Sequence, residues 1–152
     1  MKFAHTPLSY ITKKEFEKIS KYETRDITSQ NFKYPSRWKE LADILLFHPN
    51  PITRHEACFV AADLQILIAH RLISVVKFDT SIVNKHEAAE SLGKIKNRDD
   101  AWMAYSFLKK TTDSKMRKYD DDIYHPDVQA TICESLIELE KRFPYFERGY
   151  NL

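Results

Sequence analysis

Two dipeptides in this sequence carry side chains that could do chemistry, His55-Glu56 and His86-Glu87. Imidazole nitrogen and carboxylate oxygen together hold borderline transition metals. Two of each suit iron, manganese or zinc better than calcium, which takes oxygen alone. Neighbouring residues on a helix point about 100° apart, so a His and the Glu after it can flank one edge without facing the same way. If the two pairs sit on stacked helices, whose axes lie ~8–10 Å apart, their side chains can close the gap on an ion. The competing reading is structural: a His-Glu pair at a helix edge can be a hydrogen-bonded link between stacked units. Both readings take His55, Glu56, His86 and Glu87 as the residues of interest.

The elements that would position these pairs come from an internal repeat. Three segments superimpose: NPITRHEACFVAADL from Asn50, SIVNKHEAAESLGKI from Ser81 and HPDVQATICESLIEL from His125. Each opens on a cap-like residue, and Pro51 and Pro126 fall in the same first-turn slot, where proline is tolerated. His55, His86 and Ala130 share one position, and Glu56, Glu87 and Thr131 the next. The third copy therefore lacks the pair, so repeat architecture alone does not demand it. Between the copies run helical patterns over about 63–77 and 100–110, and the third unit carries a polar insertion over about 111–124. Small residues such as Ala57, Ala61, Ala88 and Ala89 let helices approach closely. Upstream, Thr12 and Glu15 form a capping box opening a helix to about Lys21. A loop then runs to about Tyr34, and Ser36 caps a helix carrying Trp38, Leu41, Ala42, Leu45 and Leu46. The expected fold is all-α: a short α-solenoid of about three HEAT-like helix pairs over 34–152, preceded by an N-terminal helical extension over 1–33.

Composition agrees. The chain of 152 residues contains two glycines, too few for strands joined by tight turns. A net charge of +2 with dispersed lysines gives no footprint for nucleic acid. No stretch approaches the ~20 apolar residues of a membrane span. The most apolar run, 64–76, is interrupted by His70-Arg71 and reads as a buried helix. No signal peptide is evident, and the chain reads as cytoplasmic. Cys58 and Cys133 lie in apolar helical patterns and read as buried, reduced thiols. His5, His48 and His70 read as structural. His125 starts the third repeat beside Asp120, Asp121, Asp122 and Asp127, where a solvated loop is the simplest account. Tyr145, Phe146 and Tyr150 read as a cap on the last repeat.

With Arg54-His55-Glu56-Ala57, the run from Lys85-His86-Glu87 to Ile95, and the third copy's Cys133-Glu134-Ser135-Leu136 in view, the sequence resembles the deoxyhypusine hydroxylase branch of the HEAT-like (phycocyanobilin-lyase-type) repeat proteins. The resemblance covers about 36–142. It implies iron, in that family a dinuclear centre held by His-Glu motifs, which activates dioxygen to hydroxylate a modified lysine on a translation factor. His55, Glu56, His86 and Glu87 would then be the ligands of an iron-dependent hydroxylase or monooxygenase acting on a protein or small-molecule substrate. The family carries four such motifs in two halves. This chain carries two, so a full site implies a homodimer across a two-fold axis. The alternative is a non-enzymatic HEAT-repeat scaffold or chaperone-like module that binds a protein partner. A bilin-lyase relative is disfavoured by the paired motifs.

Overall fold

A computed structural model describes residues 11–113 and 121–149. The described residues form eight α-helices and no strand: α1 (Lys13–Ser20), α2 (Ser29–Phe32), α3 (Trp38–Phe47), α4 (Pro51–Leu64), α5 (Ile68–Phe78), α6 (Ile82–Leu92), α7 (Arg98–Thr111) and α8 (Pro126–Arg142). The fold is the all-α repeat expected from the sequence. Helix α1 starts at the capping box, with Thr12 Oγ1 accepting from the Glu15 N–H at 3.0 Å and Glu15 Oε1 accepting from the Thr12 N–H at 3.2 Å. The three repeat helices α4, α6 and α8 are capped by Asn50, Ser81 and His125, the residues that open the three aligned segments. Pro51 and Pro126 occupy the first turn, where no backbone N–H is needed.

The helices pack as hairpins, α3 with α4, α5 with α6 and α7 with α8. Their first members form one layer and their second members another, with α6 between α4 and α8. Each repeat helix thus pairs with the helix before it. Its caps and apolar spacing are silent on that choice, because helix order along a chain reads the same in either pairing. The seams are lined by fully buried Ala57, Ala88 and Ala89. The closest approach is at Gly93, where an added Cβ would lie 2.9 Å from the Ser135 Cα. Here the glycine admits the neighbouring backbone, and Ser135 Oγ donates to the Ala89 carbonyl at 2.7 Å.

Several local expectations are corrected. Ser36 lies inside a 3-10 turn, Pro35–Arg37, and α3 starts after it with Arg37 at its cap and no side-chain cap bond. The segment after α1 contains a 3-10 turn, Thr24–Asp26, and α2. These pack on α4 while α1 packs on α3, so the extension adds one short element to each layer. Thr24 and Thr53 share a hydroxyl hydrogen bond of 2.8 Å at that seam.

The helix expected over 63–77 is α5 with a later start, since α4 runs to Leu64 and α5 starts at Ile68. The reversal between them places Gln65 at φ 55° and Leu67 at φ 47°, left-handed conformations that usually advertise themselves as glycine or asparagine. Gln65 is held there by its side chain, which donates to the Ala62 and Lys94 carbonyls and accepts from the Lys96 N–H.

The aromatic tail behaves as a cap. Phe146 is buried and packs on Trp102, Tyr105 and Phe143, with ring centroids 5.1, 5.4 and 4.7 Å away. His5, Asp120 and Tyr150 lie outside the described residues.

Both cysteines are free, but only Cys58 is buried; Cys133 is exposed. They occupy the same repeat position, which on α4 faces the next helix. On α8 no described helix covers it, and Ile137 one turn on is likewise exposed, at 51%. Burial also pushes the Cys58 thiol well above its ordinary pKa, which suppresses the reactive thiolate. A thiol reagent such as 5,5′-dithiobis(2-nitrobenzoate) is expected to label one thiol per native chain quickly, Cys133, and a second only after denaturation. Two fast thiols, or none, would contradict this arrangement.

Candidate functional site

The His-Glu pairs sit on the second turns of α4 and α6, side by side in one layer. His55 Nε2 lies 3.5 Å from Glu87 Oε2 on the next helix, and His55 Nδ1 lies 3.7 Å from Glu56 Oε1. His86 repeats the relation one seam further on: its Nδ1 is 2.5 Å from Thr131 Oγ1 on α8, and its Nε2 is 3.9 Å from Glu90 Oε2. The Thr131 hydroxyl donates to the Asp127 carbonyl at 3.0 Å, so it accepts from His86. In repeat terms, the histidine of one helix reaches the following position of the next. That position is Glu87 at the first seam and Thr131 at the second.

The geometry bears on metal binding directly. The two ring nitrogens of an imidazole, one an N–H donor and one an acceptor when neutral, point out of nearly opposite edges of the ring. Glu56 and Glu87 stand at different ring nitrogens of His55, so in this arrangement they do not converge on one point with it. His86 is hydrogen-bonded at Nδ1 to Thr131, and Glu90 approaches its Nε2 to 3.9 Å. Among the described residues no group of three or more His, Cys, Asp or Glu side chains is gathered so as to hold a metal ion. As arranged, the four side chains of His55, Glu56, His86 and Glu87 are spread along the two seams rather than gathered at one point.

The position just before each histidine was missed from the sequence and is more revealing. Arg54, Lys85 and Gln129 occupy it in the three copies, and each folds back on the C-terminal end of the preceding helix or the segment that follows it. Arg54 Nη1 donates to the His48 carbonyl at 2.8 Å, and Lys85 Nζ to the Val76 carbonyl at 2.8 Å. Gln129 Nε2 donates to the Thr111 and Ile123 carbonyls at 3.5 and 2.9 Å. Carbonyls left over at helix C-termini are thereby satisfied. Arg54 also makes a two-pronged pair with Asp79, Nε to Oδ2 at 2.9 Å and Nη2 to Oδ1 at 3.1 Å. A long donor recurring at one repeat position was the available signal.

No family model, curated protein or solved structure matches this chain.

The other histidines divide by role. His48 and His125 each precede a proline, and each accepts at Nδ1 from the N–H two residues on, that of Asn50 at 3.0 Å and of Asp127 at 3.2 Å. His48 is buried, and its Nε2 donates to the Tyr22 carbonyl at 2.9 Å. Burial lowers the His48 pKa below its ordinary 6.5. The unfolded chain therefore binds more protons than the folded one once the pH drops below that value, and stability falls as the pH falls through it. The urea midpoint is expected to be lower at pH 5.5 than at 7.5, with a smaller difference in His48→Asn. An equal difference in both proteins would remove His48 from this role. His70, in contrast, is exposed on α5.

Proposed function

We propose that this chain is a small helical-repeat binding module, without chemistry of its own at the His-Glu pairs, that engages a protein partner through the outer face of α4 and α6. The observation that carries the reading is that each histidine reaches across a seam with one ring nitrogen, His55 to Glu87 and His86 to Thr131. The same helical stripe exposes Ile52, Phe59 and Val83, at 63%, 49% and 62%. Exposed apolar residues grouped on one face are what interaction surfaces offer. Glu56 and Glu90 border them, which favours a partner segment with basic and apolar side chains.

The test is metal analysis of protein purified from iron-supplemented cells, paired with thermal unfolding with and without chelator. Metal-free protein of unchanged stability, together with loss of partner binding in Phe59→Asp, supports the module. Near-stoichiometric iron that is lost in His55→Ala and His86→Ala would overturn it.

That second outcome would favour the reading implied by the resemblance, an iron-dependent hydroxylase with His55, Glu56, His86 and Glu87 as ligands. What supports it is the two pairs in equal register on adjacent helices and the absence of the pair from the third copy. It requires His55 and His86 to turn from Glu87 and Thr131, and a second chain to supply the remaining motifs. A two-fold dimer that forms only with iron would be its signature. No described helix is long and apolar enough to cross a membrane.

A further inference from the structure

The other layer of the molecule holds a cavity that none of the above uses. It lies between α3 and α5 and measures about 490 Å³, within the range that houses small organic ligands. Lys39, Asp43, His70 and Arg71 line it towards the helix N-termini, and Leu46, Ile73 and Phe78 give it apolar wall.

Its polar groups are unevenly satisfied. Asp43 is the one carboxylate in the lining and is already held by Lys39 at 3.0 Å, which also donates to Glu15 at 2.6 Å. Burial raises the Asp43 pKa against the opposing pull of the Lys39 and Arg71 charges. Arg71 is half-buried and makes no side-chain hydrogen bond among the described residues, although its charge is felt by the Asp43 carboxylate. Its guanidinium N–H groups remain open to an acceptor, and their fork geometry matches a carboxylate. His70 beside it is also without a side-chain partner among the described residues.

We propose that this cavity binds a small amphiphilic carboxylate, its anionic head on Arg71 beside His70 and its apolar body along Leu46, Ile73 and Phe78. The assignment is independent of how the opposite layer is used. His70 and Arg71 are the two residues that interrupt the most apolar run of the sequence, and the cavity gives that interruption a purpose.

Isothermal titration with octanoate, and with octan-1-ol as the uncharged counterpart of the same chain length, tests it. Octanoate is expected to bind at one site per chain and at least about tenfold more tightly than octan-1-ol. That factor is what a charge-assisted hydrogen bond supplies. Arg71→Gln should lose that preference, and added salt should weaken octanoate in the unsubstituted protein only. Ser74→Phe, which fills the cavity from α5, should abolish binding of both compounds. Circular dichroism establishes that each variant is folded; if Arg71→Gln is not, Ser74→Phe and the octanoate/octanol comparison decide. Equal affinity for the two compounds, unchanged octanoate binding in either folded variant, or no octanoate binding at millimolar concentration would overturn the proposal.

Discussion

Arg54→Ala is expected to destabilise the protein by about 3–5 kcal/mol, the cost of stranding a buried charge. The side chains of Arg54 and Asp79 are 9% and 2% exposed, so the Asp79 carboxylate would keep its burial and lose both prongs of its partner. The Ser81 N–H at 2.8 Å and the Asn84 amide would remain on it, and neither carries charge. The His48 carbonyl would lose its donor as well. Natural domains have about 5–15 kcal/mol in hand, so the variant should sit near its unfolding threshold at physiological temperature. Arg54→Lys should recover only part of the loss, because an ammonium cannot reproduce the fork. Urea denaturation followed by circular dichroism measures both. A change below about 1 kcal/mol in Arg54→Ala would mean that the pair behaves like an exposed one.

The second large effect is expected at Lys85, the equivalent residue one repeat on and fully buried. Lys85→Ala removes a long side chain from a packed interior and the donor from the Val76 and Lys77 carbonyls, at 2.8 and 3.3 Å. The packing and cavity cost alone is about 2–5 kcal/mol for a side chain of this size. Lys85→Met separates the contributions, since it refills most of the volume without donating. Its cost should fall to about 1–3 kcal/mol, that of a buried acceptor left unmet. If methionine proves as damaging as alanine, the carbonyl bonds carry the whole effect. If it is neutral, they carry none.

These two residues also show what could be read from the sequence. The register of the three copies, their caps and their first-turn prolines were all legible, because they depend on local backbone needs that Asn50, Ser81, Pro51 and Pro126 meet by themselves. The direction in which a side chain leaves its helix was not. His55 and His86 could have converged or diverged, and what turned them outward to the next helix was a partner elsewhere in the chain, Glu87 for one and Thr131 for the other. The exposure of Cys133 was hidden for a related reason: its pattern matches that of Cys58, and only the lack of a described helix beyond α8 separates them. The Gln65–Leu67 reversal was illegible because Gln65 is held left-handed by side-chain bonds to Lys94 and Lys96 in the following repeat, with no glycine to announce it.

The insertion between α7 and α8 has a consequence for how freely that connection can vary in length. Bonds across the first seam, Arg54 to Asp79 and Asn84 to Pro51, join residues 25 and 33 apart in sequence. Across the second seam, His86 to Thr131 and Arg142 to Gly93 join residues 45 and 49 apart. Lengthening a flexible loop adds closure entropy only logarithmically, about 0.6 kcal/mol for a doubling, so the insertion raises the cost of the second seam by less than that. Extra chain at this place is thermodynamically cheap, so the second seam tolerates changes in the length of its connection that would leave the helices α6 and α8 packed as they are.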